Sequence, residues 1–526
     1  MSSAADSTRF DPVDAGRQMR AIRDQATSVG VPAQHGASDA REPTHSTTGQ
    51  LPALLTDRGN AKLFATMYSD RFRHVEGLGW YAWDTYRWKR AGGEKAAVWA
   101  AGDMAEQMPA TDVEGRFGNR ELTAHRGRAM STSGIKAMLT QAKASPALAL
   151  DPDVLDGDPY SLCTPAGVVD LRTGALRKPD PLRDMHSRAT GVAPEGIPTP
   201  RWHRFLADTF GEDAKGVETI DFLHLLLGYS ITGDVGAQVL PFLYGTGANG
   251  KSVLLDVMTQ ILGDYAQAAP PGFLMEKGKF SEHSTELTEL HGRRIVVCSE
   301  LKPNDKFDEA RVKLLTGGDR ISARRMRQDF FSFTPTHKLW LLGNHRPEVG
   351  TGGHAFWRRM RLIPFERVVP ASRKIDNLAK ELVDSEGPGI LQWLVEGARR
   401  YLITRDPLTG PVSVRTATEA YATTEDHIGR FLGECCIRTS NGERTDLKVE
   451  QGLLYATYSA WCSSGEEARP ASARAFANRV RQELGLASPA DMTKSSGRKY
   501  YPGLGLLPED DADPSALFSE NGRHEG

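Results

Sequence analysis

Five cysteines, Cys163, Cys298, Cys435, Cys436 and Cys462, are scattered through 526 residues with no CxxC pair and no clustered histidines beside them. That spacing argues against a zinc site and a disulfide framework, and it suits a reducing cytoplasm. No apolar run approaches the roughly 18 residues of a membrane-spanning helix. The opening MSSAADSTRFD also lacks the apolar core of a secretory signal. No membrane partner is expected. An excess of one charge is missing too: 65 Lys and Arg face 67 Asp and Glu, so any nucleic-acid surface has to be local.

The rest of the composition is ordinary, with 39% hydrophobic and 25% charged residues, enough for a sizeable core and roughly two to four domains. Residues 1–55 are rich in Ser, Ala, Thr, Pro and Gly and read as a disordered arm. A mainly helical α+β domain is expected over 56–200. It would open with an amphipathic helix near Asp57, then a strand pair between Trp80 and Trp88, helices over about Lys95–Gln107 and Gly134–Lys143, and short strands around GVVDLRTG. Over 201–400, two helices lead into apolar runs (VLPFLYG, RIVVCSE, HKLWLLGN) that alternate with helical stretches, the pattern of a largely parallel sheet in a three-layer α/β core. A smaller module over 412–506 and a flexible acidic tail over 507–526 complete the chain.

The densest chemistry is GTGANGKS, comprising Gly245, Thr246, Gly247, Ala248, Asn249, Gly250, Lys251 and Ser252, set between an apolar strand and a helix. Gly245, Gly247 and Gly250 permit backbone angles closed to other residues, so successive N–H groups can turn inward around a phosphate at the positive end of the following helix. Lys251 can then reach the β- and γ-phosphates of ATP, and the Ser252 hydroxyl can ligate Mg²⁺. The bland alternative is a glycine turn with an incidental lysine. A magnesium-bound nucleotide also needs a carboxylate at a neighbouring strand end, and Glu300 stands there, with Ser299 or Asp305 as possible helpers. Asn344, closing the next apolar run, can sense the γ-phosphate. Arg358, Arg359 and Arg361 crowd a segment suited to an arginine finger, with Arg359 the first choice.

These residues resemble a known family, the superfamily 3 helicases, in particular the helicase part of phage and plasmid primase-helicases, related to those of poxviruses. The resemblance rests on GVVDLRTG, RWHRFL with FLHLLLGYSITGD, GTGANGKS, RIVVCSE, KLLTGGDRISARR, LLGNHRP and FWRRMRLIPF, and covers most of the chain after residue 54. It implies a P-loop, AAA+-like core, homo-hexamers, ATP hydrolysis between subunits, 3′ to 5′ movement, and a hairpin in the ring channel. That hairpin would place Arg324, Arg325, Met326, Arg327 and Gln328 on a single DNA strand, where arginines can neutralise phosphates without reading bases.

The C-terminal module reads as helix, helix and basic hairpin, similar to a winged helix. Its recognition helix would carry Arg474, Arg479 and Arg481, and its wing Lys494, Arg498 and Lys499 toward fork duplex. The expected function is ATP-dependent unwinding in phage or plasmid replication, beside a separate primase or polymerase. The alternatives are a nucleotide-gated DNA-binding scaffold for origin recognition or packaging, a bifunctional primase-helicase, and a small-molecule kinase using the same loop.

Overall fold

The computed structural model describes residues 50–276, 284–299, 301–303, 305–325, 330–350, 353–370, 372, 374–439, 447–464, 470–495 and 497–507. Most of the expected arm, the tail from 508, Glu300 and the hairpin residues Met326, Arg327 and Gln328 lie outside these residues.

The first helix, α1 (Asp57–Tyr68), starts where the Thr56 hydroxyl accepts the Gly59 N–H at 3.1 Å. Strands β1 (Phe72–Val75), β2 (Gly79–Asp84) and β3 (Arg87–Lys89) follow, the last two meeting at the Asp84–Arg87 pair as the Trp80–Trp88 alternation predicts. Helices α2 (Gly93–Glu106), α3 (Asn119–Ala129) and α4 (Thr132–Ala142) and the short β4 (Ala149–Leu150) complete this subdomain, whose sheet runs β3-β2-β1-β4. Sequence reading misses α3, because only Leu122, His125 and Ala129 of its eleven residues are buried and no apolar stripe announces it.

Strands β5 (Ser161–Thr164), β6 (Gly167–Asp170) and β7 (Leu176–Arg177) form a small antiparallel sheet. Its Leu162, Val169 and Leu171 enter the same core as α5 (Pro200–Phe210) and α6 (Ala214–Ile231). The boundary drawn at residue 200 therefore cuts through a continuous core.

The central layer is a five-stranded sheet built from β8 (Leu240–Tyr244), then α7 (Lys251–Leu262), β9 (Ala266–Ala268), α8 (Ser284–Thr288) and β10 (Ile295–Cys298). After α9 (Glu309–Leu315), a hairpin of β11 (Ile321–Arg324) and β12 (Phe330–Phe333) projects from the connection to β13 (Lys338–Gly343). The short α10 (His354–Trp357) leads into β14 (Met360–Pro364). The order is β14-β8-β13-β10-β9 and every pairing is parallel. Alternate residues go to opposite faces: Leu243, Ile295, Val297 and Trp340 to one core, Phe242, Val296, Leu339 and Leu341 to the other. Burial on both faces is why these strands read as unbroken apolar runs, and each such side chain contributes about 1.5–3 kcal/mol.

The long α11 (Leu378–Thr404) packs on α6 and α7 and runs past the boundary placed at residue 400. Helix α12 (Val412–Glu425) was expected to start the C-terminal module but packs on the edge strand β14, because its apolar Val414 and Tyr421 are fully buried in the central cores. The C-terminal module proper holds α13 (His427–Glu434), β15 (Cys436–Arg438), β16 (Lys448–Glu450), α14 (Gln451–Ser464), α15 (Ala473–Glu483), β17 (Thr493–Ser495), β18 (Arg498–Pro502) and β19 (Leu504–Leu506). Three antiparallel strands, β16-β18-β17, back its helices around Phe431, Tyr458 and Phe476. Among the described residues, no helix is long and apolar enough to cross a membrane.

Candidate functional site

The glycine-rich loop leaves the C-terminal end of β8, an interior strand flanked by β13 and β14, and delivers the chain into α7. Strand C-terminal ends are where open parallel sheets seat ligands. Gly250 caps α7 at φ 88°, and Ala248 is also left-handed at φ 57°. At Gly245 the need is space: a Cβ would lie 2.3 Å from the Phe365 carbonyl oxygen. Gly247 meets neither condition, so the left-handed turn expected there falls on Ala248 instead. A Gly250→Ala protein is expected to lose about 1–3 kcal/mol in chemical denaturation, because the new Cβ is strained at this φ and sits 3.0 Å from Thr209 Oγ1.

Asn249 and Lys251 hold the loop. Asn249 Nδ2 donates to the Phe365 carbonyl at 2.8 Å, while its Oδ1 accepts from Lys251 Nζ at 2.8 Å. Lys251 also donates to the carbonyls of Gly245 at 2.8 Å and Thr246 at 2.9 Å. The ammonium is buried, its pKa is lowered by that burial, and among the described residues no carboxylate pairs with it. A desolvated cation with only neutral acceptors favours an incoming anion. Sequence reading places Asn249 in the loop but misses its role as a strut to Phe365, just after β14.

Facing the loop, Ser299, Leu301, Gly343, Asn344 and His345 close a cleft of about 430 Å³ that also takes in Lys251 and Ser252. Because β13 lies between β8 and β10, Asn344 is carried to the rim between the loop and Ser299. Asp305 is not in this lining; its carboxylate accepts the Lys302 N–H at 2.8 Å. Beside the loop a larger cavity of about 910 Å³, lined by Phe205, Thr209, Val253, Arg367, Ile375 and Leu378, shares Ala248 and Gly250 with the cleft. No sequence motif marks it, since its walls come from three separate segments.

The three arginines before and in β14 differ. Arg359 is buried, donating to Thr316 Oγ1 at 3.0 Å, Gln238 Oε1 at 3.1 Å and the Ala355 carbonyl. Arg361 donates to the carbonyls of Leu408, Arg358 and Met360. Only Arg358 is exposed, with one bond to Gln238 Oε1 at 2.5 Å. The preference for Arg359 as the outward-reaching group is therefore corrected: its guanidinium braces α10 against α9.

Arg324 is exposed and stacks over Phe330 at 4.7 Å, while Arg325 is half-buried, 3.8 Å from Glu289. In the C-terminal module, Lys494 and Lys499 are exposed and directly opposed across β17 and β18, Arg498 pairs with Glu450 at 2.9 Å, and Lys448 lies 5.2 Å over Tyr500. Arg474 is exposed, but Arg479 pairs with Asp426 at 2.8 Å and Glu483 at 2.5 Å, and Arg481 bonds Asn478. Those ion pairs remove Arg479 from the expected DNA-facing set.

The fold and site together define an α/β protein with a candidate phosphate-binding loop at the switch point of a parallel sheet. Residues 61–211 match the family described as D5 N terminal like, and residues 243–359 match a family of unknown function. A candidate helicase of Acanthamoeba polyphaga mimivirus is 26% identical over 281 residues, covering 50% of this chain and 29% of that protein. A candidate helicase of Invertebrate iridescent virus 3 is 24% identical over 341 residues, covering 59% and 35%. A candidate primase of African swine fever virus is 22% identical over 277 residues, covering 50% and 29%. This chain thus spans only 29–35% of these relatives' lengths. The C-terminal region of NrS-1 aligns at 11% identity and a TM-score of 0.39, covering 71% of this chain and 88% of that one. These matches group the chain with a primase-helicase family found in large DNA viruses.

Proposed function

We propose that this chain is an ATP-hydrolysing DNA helicase of the superfamily 3 type, working with Mg²⁺ as a ring of identical subunits; a homo-hexamer is the size the family resemblance implies. The observation that carries the proposal is the buried Lys251 ammonium, which no carboxylate pairs among the described residues, facing Asn344 and Ser299 across one cleft. ATP fits this chemistry: Lys251 and the loop N–H groups would neutralise its phosphates, Ser252 and Glu300 would hold the metal, and the adjoining cavity at Phe205 and Val253 would seat its base. Bound nucleotide supplies the phosphoanhydride whose cleavage drives movement. Asn344 is positioned to orient the outermost phosphate or a water beside it.

The sheet order β14-β8-β13-β10-β9 supports an AAA+-like core, since it sets β8, which leads into the loop, and β10, which leads to Ser299, on either side of β13, which leads to Asn344. The three helices and three-stranded sheet of the C-terminal module, with Lys494 and Lys499 exposed and without an ion-pair partner among the described residues, support a winged-helix reading and fork-duplex contact. The hairpin of β11 and β12 supports a grip on single-stranded DNA. Full-length protein is expected to displace a strand from forked DNA only with ATP and Mg²⁺, and to hydrolyse ATP faster when DNA is added. ATP binding without strand displacement on any fork polarity would instead favour the nucleotide-gated scaffold.

A further inference from the structure

The hairpin is docked against the N-terminal subdomain, and three arginines converge on the docking face. Gly77, in the β1–β2 turn, contacts Phe331, and the neighbouring Leu78 carbonyl accepts Arg90 Nε at 2.5 Å. The His291 ring makes edge contacts with Phe331 and Phe333 at centroid distances of 6.0 and 5.3 Å, and the His291 carbonyl accepts Arg188 Nη2 at 3.0 Å. Arg325, immediately after β11, is the third guanidinium. Arg90, Arg188 and Arg325 thus come from three distant segments and are anchored around one aromatic patch.

From this convergence we infer that Arg90, Arg188 and Arg325 form a phosphate-binding seat, shared by the N-terminal subdomain and the hairpin root, for the backbone of a single DNA strand. The inference rests on the reading of the chain as a DNA motor and adds a contact that the hairpin tip alone does not supply.

Three observations carry it. First, the counter-charge is thin. Glu289 is 3.8 Å from Arg325 and is shared with Arg293 at 4.0 Å. Asp156, the other nearby acid, is buried and engaged with the Ser187 N–H at 2.7 Å, the Ser187 hydroxyl and the Arg188 N–H at 3.2 Å. Second, the Nε atoms of Arg188 and Arg325 are buried and, among the described residues, have no hydrogen-bond partner. Burial lowers the Arg325 pKa, and Arg90 and Arg188 lower it further, so each of them repels Arg325. An anion would offset that repulsion. Third, the chemistry selects a nucleic-acid backbone. Guanidinium forks match phosphate oxygens, and the exposed Phe330, carrying Arg324 at 4.7 Å, offers a stacking face for an unpaired base beside them.

Binding of full-length protein to single-stranded oligonucleotides, measured across a salt series, tests this seat. Arg90→Gln and Arg188→Gln are each expected to reduce the slope of log affinity against log salt by about 0.7, equally for oligo-dT and mixed sequences, with ATP binding unchanged. Arg90→Lys and Arg188→Lys are expected to recover most of the slope. Should Arg188→Gln misfold, Arg90→Gln carries the test, because it loses only one bond to a loop carbonyl. An unchanged slope in glutamine variants of a protein whose wild type binds DNA overturns this inference alone. The same unchanged slope with a fall in assembly mass assigns the arginines to a neighbouring subunit instead. Wild-type protein that binds no single strand at all removes this inference and the motor reading together.

Discussion

Lys251→Ala protein is expected to lose measurable ATP binding and to hydrolyse ATP at least about two to three orders of magnitude more slowly than wild type. The ammonium is the buried cation of the loop, bonded among the described residues to the Gly245 and Thr246 carbonyls and Asn249 Oδ1, so alanine removes the charge that an incoming triphosphate would meet. The measurement is twofold. Saturating ATP should stabilise wild type by about 2.7 kcal/mol at a hundredfold excess over Kd and the variant by close to zero, and DNA-stimulated hydrolysis should vanish. Alanine also frees three acceptors and could loosen the loop, so Ser252→Ala provides the control. Ser252 is exposed and its loss should weaken the response to Mg²⁺ while leaving metal-free nucleotide binding intact. Full ATP binding by Lys251→Ala protein would end the proposed function.

Arg358→Ala is the second large effect, expected to lower hydrolysis by about three orders of magnitude or more while nucleotide affinity stays near wild type. The reasoning is positional. Arg358 precedes β14, at the opposite end of a parallel sheet from the cleft, roughly five residues and about 16 Å along the strand. A guanidinium there is too far away to serve a nucleotide in its own chain's cleft, and being exposed it is free to reach a neighbouring subunit in the proposed ring. Mixing Arg358→Ala with Lys251→Ala protein should therefore restore part of the hydrolysis, because each supplies what the other lacks at half of the mixed boundaries. Absence of any rescue would sink the finger assignment. Arg359→Ala should behave differently, losing about 1–3 kcal/mol of folding stability as Thr316 and Gln238 lose their donor.

The central sheet was legible because parallel strands buried on both faces leave continuous apolar runs, and VLPFLY, RIVVC and KLWLLG carry that mark plainly. The glycine-rich loop was legible because its glycines and lysine are contiguous. What was hidden depends on partners far apart in the chain. Nothing near Arg359 announces that Thr316 and Gln238 will enclose it, nor does the sequence near Arg479 reveal Asp426, 53 positions away. Helix α12 was misassigned for the same reason, since Val414 and Tyr421 declare burial but not which core receives them. The cavity walls at Phe205, Val253 and Ile375 likewise meet only after folding.

Lys494 and Lys499 face each other directly across β17 and β18. Like charges so placed cost a hairpin stability, by roughly 0.2–1 kcal/mol, and dissolved ions relax that cost. Rising ionic strength therefore stiffens this small ribbon while loosening its hold on any polyanion, so the arm is most pliant under the dilute conditions in which it would grip hardest.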